Sequence, residues 1–147
     1  MRSRVAAVLS CLILSGCGSA GTSADEAARV GSPSGRADAV LLEHNGGEGT
    51  DFSYSVYVVR SGGRAAGAGE VAWLGVPVRN RRAYGANLRW DGPASLRIEY
   101  WDAHQAERRR AQAVVGQDTV TIVLQAGVFD SAAPAGGMLY NLRRARR

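Results

Sequence analysis

Apolar and polar residues alternate in short runs from residue 37 onward, and glycine-rich breaks separate the runs. Two runs are especially regular, because residues 84–90 and 95–100 carry an apolar or aromatic side chain at every second position. A period of two is typical of strands with one buried face. The intervening segment 91–94 combines glycine with proline, which cannot continue a β-ladder. The pattern therefore predicts a β-hairpin over residues 84–100.

The same criteria predict further strands at residues 39–43, 52–60, 70–74, 119–124 and 138–142. Breaks such as Asn45-Gly46-Gly47 and Ser61-Gly62-Gly63 supply the expected loops. About seven strands in one domain predict an all-β fold. The pattern leaves open whether this is a small antiparallel β-sandwich or an open barrel.

Residues 102–113 interrupt the alternation. Asp102, with Gln105 three residues later, matches a helix N-terminal capping pattern, and the rest of the segment is mostly Ala, Glu, Arg and Gln. We therefore expect one short helix in this segment.

The segment before residue 37 has a different character. Residues 18–36 are rich in Gly, Ser and Ala and contain one isolated large apolar residue, Val30. Such a composition is typical of a flexible tether. Nineteen residues of this kind have an end-to-end distance of roughly 25 Å. A tether of this length would keep the domain at a distance from the surface to which its N-terminal end is attached.

The first seventeen residues have the three regions of an export signal. Arg2 and Arg4 are followed by an apolar stretch over residues 5–14 and by small residues before Cys17. Ten residues of helix span about 15 Å, which is half of a bilayer core of about 30 Å. The stretch is therefore too short for a stable transmembrane helix.

The four residues Leu14, Ser15, Gly16 and Cys17 give the leader a more specific motif. They resemble the lipobox of bacterial lipoproteins, which has an aliphatic residue, two small residues and a cysteine. The resemblance implies a diacylglyceryl group on the Cys17 thiol and cleavage before Cys17. A second cysteine motif, Val8-Leu9-Ser10-Cys11, fails because Leu9 is large and the apolar run before it is too short. An ordinary secretory signal with an incidental cysteine is the alternative.

The resemblance also implies a domain order and a location. Residues 1–16 would be the cleaved signal peptide, residues 17–36 the lipidated cysteine and tether, and residues 37–147 a single β-rich domain with a basic tail. In two-membrane bacteria, aspartate after the cysteine tends to retain a lipoprotein in the inner membrane, whereas this chain has Gly18. We therefore expect a protein of the cell envelope, anchored in the outer membrane and facing the periplasm.

Charge and cysteine content narrow the possible partners. The formal net charge of +5 comes from eighteen arginines, because the chain has no lysine. Two arginines lie in the leader and four in the last five residues, so the body carries twelve against thirteen acidic residues. A nearly neutral body argues against a nucleic-acid partner. Both cysteines lie in the leader, so we expect no disulfide in the mature domain.

The candidate binding residues are arginine clusters and aromatic residues. Three arginine clusters could meet anionic lipid or polymer: Arg79, Arg81 and Arg82; the run Arg108, Arg109 and Arg110; and the tail Arg143–Arg147. The expected partner is an envelope protein or an anionic envelope polymer. Tyr57 and Trp101 fall out of phase with their neighbours, so they are the aromatic side chains most expected to be exposed.

Catalytic signals are weak. The histidines, His44 and His104, match no zinc-ligand spacing, and the nucleophile string G-x-S-x-G is absent. We expect no metal and no cofactor. The interpretation is a non-catalytic binding module, and the alternative is a periplasmic hydrolase or an enzyme inhibitor. That alternative needs a cleft that gathers residues such as His44, His104, Asp102 or Glu99.

Overall fold

Strands account for all the regular structure in the part of the chain that the structure describes. The computed structural model describes residues 23–47, 50, 52–76, 85–103 and 105–134. The strands are β1 (Ser23–Gly31), β2 (Ala37–Asn45), β3 (Phe52–Arg60), β4 (Glu70–Val76), β5 (Ala86–Trp90), β6 (Ser95–Tyr100), β7 (Gln105–Arg108), β8 (Gln112–Val115) and β9 (Asp118–Gln125). None of these residues forms a helix long and apolar enough to carry the chain across a bilayer.

The strands form two sheets. The larger has the order β1-β2-β3-β4-β7 and is antiparallel throughout. The smaller has the order β5-β6-β9-β8, and in it β6 and β9 run parallel. The predicted all-β class is confirmed, and the two sheets stack as a β-sandwich. The parallel pair departs from the predicted antiparallel arrangement, because β6 reaches β9 through a connection that crosses to the other sheet and back.

The core lies between the sheets. Alternate side chains of both sheets point inward, and the largest fully buried apolar side chains are Tyr54, Leu41 and Leu74 from one sheet and Leu96, Ile98 and Ile122 from the other. This is the alternation expected of an aligned sandwich. Glu43 is a buried carboxylate among them, and it accepts a hydrogen bond of 3.2 Å from the Tyr54 hydroxyl.

The predicted hairpin is confirmed over its described part, with β5 and β6 paired through Leu88 opposite Ile98. The strands predicted at 39–43, 52–60, 70–74 and 119–124 correspond to β2, β3, β4 and β9. Tyr84 and the strand predicted at 138–142 lie outside the described residues.

The helix predicted over residues 102–113 is wrong, because residues 105–108 and 112–115 are β7 and β8. The chain leaves the larger sheet after β7 and joins the smaller one at β8. The N–H of Arg110 still donates to the Val71 carbonyl at 3.2 Å, while the Ala111 carbonyl already accepts from Ile122 at 2.9 Å. Pairing with two sheets outweighs the local helix propensity.

The tether predicted over residues 17–36 is wrong from Ser23 onward. Residues 23–31 pair with β2 as an edge strand, and a turn between Ser32 and Ala37 follows. The strand gains backbone hydrogen bonds without needing many apolar side chains, although Val30 packs against the core. The indole N–H of Trp90 donates to the Val30 carbonyl at 3.0 Å, which joins β1 to the edge of the other sheet.

The strands bring their turns together at two ends. We call the end where β1 starts the proximal end, which also holds the ends of β2, β4, β6 and β9 and the start of β3. The distal end holds the turns 32–36, 61–69, 91–94 and 116–117. Nine-residue strands at about 3.3 Å per residue separate the two ends by about 30 Å.

Candidate functional site

Two adjoining cavities open at the distal end. The first has a volume of about 590 Å³ and lies between the turn after β1, the end of β3 and the turn between β8 and β9. Its lining residues are Gly35, Arg36, Arg60, Ser61, Val115, Gly116, Gln117 and Asp118. The second has a volume of about 350 Å³, shares Arg60, Val115 and Gly116 with the first, and extends to Arg64 and the loop 63–68. The site is therefore built from both sheets.

An ion pair spans the first cavity. Arg36 donates to both carboxylate oxygens of Asp118, from Nε to Oδ2 and from Nη2 to Oδ1, each at 2.7 Å. This contact lowers the pKa of Asp118 below its ordinary value of 3.8, so the carboxylate stays ionised. The pair connects the turn after β1 to the start of β9.

Arg60 and Arg64 have no comparable partner. Neither side chain forms an ion pair or a hydrogen bond with any residue that the structure describes. The Arg60 guanidinium lies beside the turn at Gly116, where a Cβ atom would come within 3.9 Å of Nε and Nη2. Gly116 also has a φ of 63°, which favours glycine. Among the described residues that line the two cavities, three arginines stand against one carboxylate.

The loop that holds Arg64 is attached to the larger sheet by a buried carboxylate. Asp38 Oδ2 accepts from the Gly62 N–H at 2.8 Å and from Arg29 Nη1 at 2.9 Å, and Oδ1 accepts from the Ser61 hydroxyl at 3.3 Å. Burial alone would raise the pKa of Asp38. The Gly62 N–H and the Arg29 guanidinium outweigh that effect, and the pKa lies below its ordinary value of 3.8.

The Arg108–Arg110 cluster does not form one patch. Arg109 pairs with Glu107 and with Glu70, the latter at 3.2 Å, and its guanidinium lies 5.9 Å from the centre of the Trp73 ring. Arg108 donates to the Ile122 carbonyl at 3.4 Å, and Arg110 lies against Gly69. Consecutive side chains on an extended chain point in different directions, so adjacent arginines separate.

The two aromatic candidates have different surroundings. Tyr57 is half-buried and packs with Val40, Val59 and Ala65 on the outer face of the larger sheet. Trp101 follows β6 at the proximal end and meets Phe129, with ring centres 5.6 Å apart and ring planes at 89°. Phe129 is 60% exposed. The predicted lipobox residues and Arg79, Arg81, Arg82 and His104 lie outside the described residues.

The residues considered for hydrolysis are not gathered in one cleft. His44 lies on the outer face of the larger sheet, whereas Glu99 lies on the outer face of the smaller one. Asp102 is exposed beyond the end of β6. Glu43 and His44 are adjacent in the chain, yet Glu43 is buried in the core and His44 points away from it.

His44 does take part in a polar chain with Ser55 and Glu70. The Ser55 hydroxyl donates to Glu70 Oε2 at 2.6 Å, and His44 Nε2 lies 2.9 Å from the same hydroxyl. Because a carboxylate only accepts, the serine proton is directed away from the histidine, which is the reverse of an activated nucleophile. Ser55 is also only 2% exposed.

Among the residues that the structure describes, no three His, Cys, Asp or Glu side chains lie close enough together to hold a metal ion. Comparison of the chain with protein-family models, with curated proteins and with solved structures gave no match.

The distal site could not be predicted from the sequence because its charged residues come from three separate strand connections: Arg36 precedes β2, Arg60 and Arg64 lie at the end of β3 and in the loop after it, and Asp118 begins β9. Arg36, Arg60 and Arg64 do share one local signal, since each adjoins a glycine-containing break between strands. The arginine runs Arg79–Arg82 and Arg108–Arg110 drew attention instead, because clustering along the chain is easier to see than clustering in space.

Asp38→Asn should destabilise the protein by about 1.5–3 kcal/mol at pH 7, because hydrogen bonds to a buried charged group are lost or weakened. The lowered pKa means that the stabilisation is complete above about pH 4 and is lost as the pH falls through the folded-state value. Urea unfolding between pH 3 and pH 7 measures both effects. Asp102→Asn is the matched control, since Asp102 is exposed. A pH-independent difference, or equal losses in both variants, would contradict this role of Asp38.

Proposed function

We propose that this chain is a lipid-anchored protein of the bacterial envelope whose sandwich binds an acidic polymer at its distal end, without chemical conversion. The observation that carries the binding part is the pair of adjoining cavities flanked by Arg60 and Arg64. Neither guanidinium is neutralised by another described residue, while their neighbour Arg36 already has a carboxylate partner.

The chemistry of these groups favours repeated anions. A guanidinium presents its N–H donors in a planar fork that matches carboxylate and phosphate oxygens. With three arginines against Asp118, the two cavities leave an excess of two positive charges. A polymer can occupy both cavities at once, so its second contact forms at high effective concentration. Because the arginines face solvent, added salt should weaken the attraction.

A hydrolase has less support. Ser55 is buried and its proton is directed toward Glu70, and the histidine and carboxylate candidates lie on opposite faces of the sandwich. The residues described around the two cavities are mostly arginine, glycine, alanine and valine, and the one carboxylate, Asp118, is already paired with Arg36, which suits holding an anion more than cleaving one.

Replacing both Arg60 and Arg64 with glutamine should lower the affinity for an anionic polymer about tenfold, because two solvent-exposed ion pairs of up to about 1 kcal/mol each are lost and about 1.4 kcal/mol corresponds to a factor of ten. Fluorescence anisotropy with labelled polyphosphate and labelled poly-L-glutamate measures the affinity and shows whether phosphate or carboxylate is preferred.

The control for this experiment is Arg89→Gln. Arg89 is 67% exposed and lies on the smaller sheet, with its carboxylate partners at 3.9 and 4.0 Å. An equal loss of affinity per charge in this variant would indicate diffuse attraction to the whole surface. Failure of the unaltered protein to bind either polymer at low salt would also refute the site.

The anchoring part of the proposal rests on Leu14-Ser15-Gly16-Cys17 and on the short apolar stretch before it. One acyl chain binds a membrane reversibly, whereas two or three chains hold a protein nearly permanently, at about 0.8 kcal/mol per buried methylene. With Gly18 after the cysteine, the outer membrane is the proposed location.

Cys17→Ala should abolish incorporation of radiolabelled palmitate and move the protein from the membrane to the soluble envelope fraction, because the thiol that accepts the lipid is absent. Cys11→Ala is the matched control and should change neither property. Membrane retention of the Cys17→Ala protein would contradict the anchor.

A further inference from the structure

An exposed phenylalanine and a half-buried tryptophan contact each other at the proximal end of the sandwich. Phe129 is 60% exposed, and its ring meets Trp101 edge to face. The exposed part of this aromatic pair leaves apolar area in water, and such surfaces often mark sites of contact with a partner or a membrane. An apolar occupant would remove this area from water.

The backbone holds this pair in place. The N–H groups of Gly127 and Val128 donate to the carbonyls of Trp101 and Tyr100, each at 3.1 Å. On the other side of Phe129, Asp130 accepts from Asn87 Nδ2 at 2.9 Å and from the Ala132 N–H at 2.8 Å. Hydrogen bonds therefore hold the backbone in place both before and after Phe129.

The start of β1 limits how far this end can lie from the anchor. Five residues, 18–22, separate Cys17 from Ser23. Six residue steps of at most about 3.6 Å reach about 20 Å. With strands about 4.8 Å apart and sheets about 10 Å apart, the aromatic pair lies on the order of 10–20 Å from the start of β1. A lipid on Cys17 therefore keeps the pair within reach of the bilayer surface.

We propose that the proximal end docks on the bilayer, with Phe129 and Trp101 in its interfacial layer. This rests on the proposed lipid anchor at Cys17. Tryptophan is enriched at the membrane interface because its ring is apolar and its N–H is polar. Docking in this way directs the distal arginines away from the membrane, about 30 Å from the lipid surface. The contact is apolar, so it should be insensitive to salt, unlike polymer binding at the distal end.

Depth-dependent quenching tests the docking. The full acylated chain is reconstituted in phosphatidylcholine vesicles whose acyl chains carry bromine, and its tryptophan fluorescence is compared with that in unbrominated vesicles. Trp101 is present in both variants, so the Phe129→Trp variant has two tryptophans at the interface and the Val114→Trp variant has one. Quenching of the Phe129→Trp variant should therefore be greater by up to about twofold. Val114 is the matched control because it is 75% exposed and lies on β8, toward the distal end. Both new side chains face solvent, so neither substitution disturbs the core.

The outcomes separate docking from anchoring. If both variants float with the vesicles and are quenched equally, the anchor stands and the docking is refuted. If neither floats, the anchor itself is refuted, and the docking falls with it. As a second measurement, Trp101→Phe should remove more than half of the bromine quenching of the otherwise unaltered protein, and unchanged quenching would count against Trp101 as a contact.

Discussion

Burial of one face of each sheet against the other is the constraint on which the structure depends. Tyr54, Leu96 and Ile122 are fully buried between the sheets, so the strands that carry them must cross the whole core before the chain can turn. A buried loop would leave backbone polar groups without partners, and for that reason the turns collect at two ends. The features that suit binding lie at those ends and not on the sheet faces.

The two ends differ in chemistry. The distal end brings Arg36, from the turn before β2, together with Arg60 and Arg64, from the end of β3 and the loop after it. Asp38 fastens that loop to the sheet beneath it. The proximal end carries Trp101 and Phe129 and the start of β1. A lipid on Cys17 would orient the molecule on the membrane. The proximal end would then face the bilayer, and the distal end would face the soluble or wall-bound components of the envelope.

Alternation along the chain was enough to predict the hairpin β5–β6 and the strands β2, β3, β4 and β9, because their inward positions are mostly apolar, with the buried Glu43 of β2 as an exception. It failed for β1, whose sequence SADEAARVG is stabilised by backbone pairing with β2 and by ion pairing of Arg29 with Glu26. The capping pattern at Asp102 was misleading because the chain there pairs with two sheets. The arginine site escaped prediction because its residues are separated by up to 82 positions, as Arg36 and Asp118 are.

The position of β1 is the claim on which the orientation of the molecule depends, because it shortens the predicted tether to five residues. Amide hydrogen exchange of residues 24–30 tests it most directly. The structure predicts that alternate amides of this segment, those that donate to β2, exchange many times more slowly than amides of an unstructured chain. Exchange of all these amides at the rate of an unstructured chain would show that residues 24–30 belong to a flexible tether. That result would contradict both the five-residue connection between Cys17 and β1 and the docking of the proximal end.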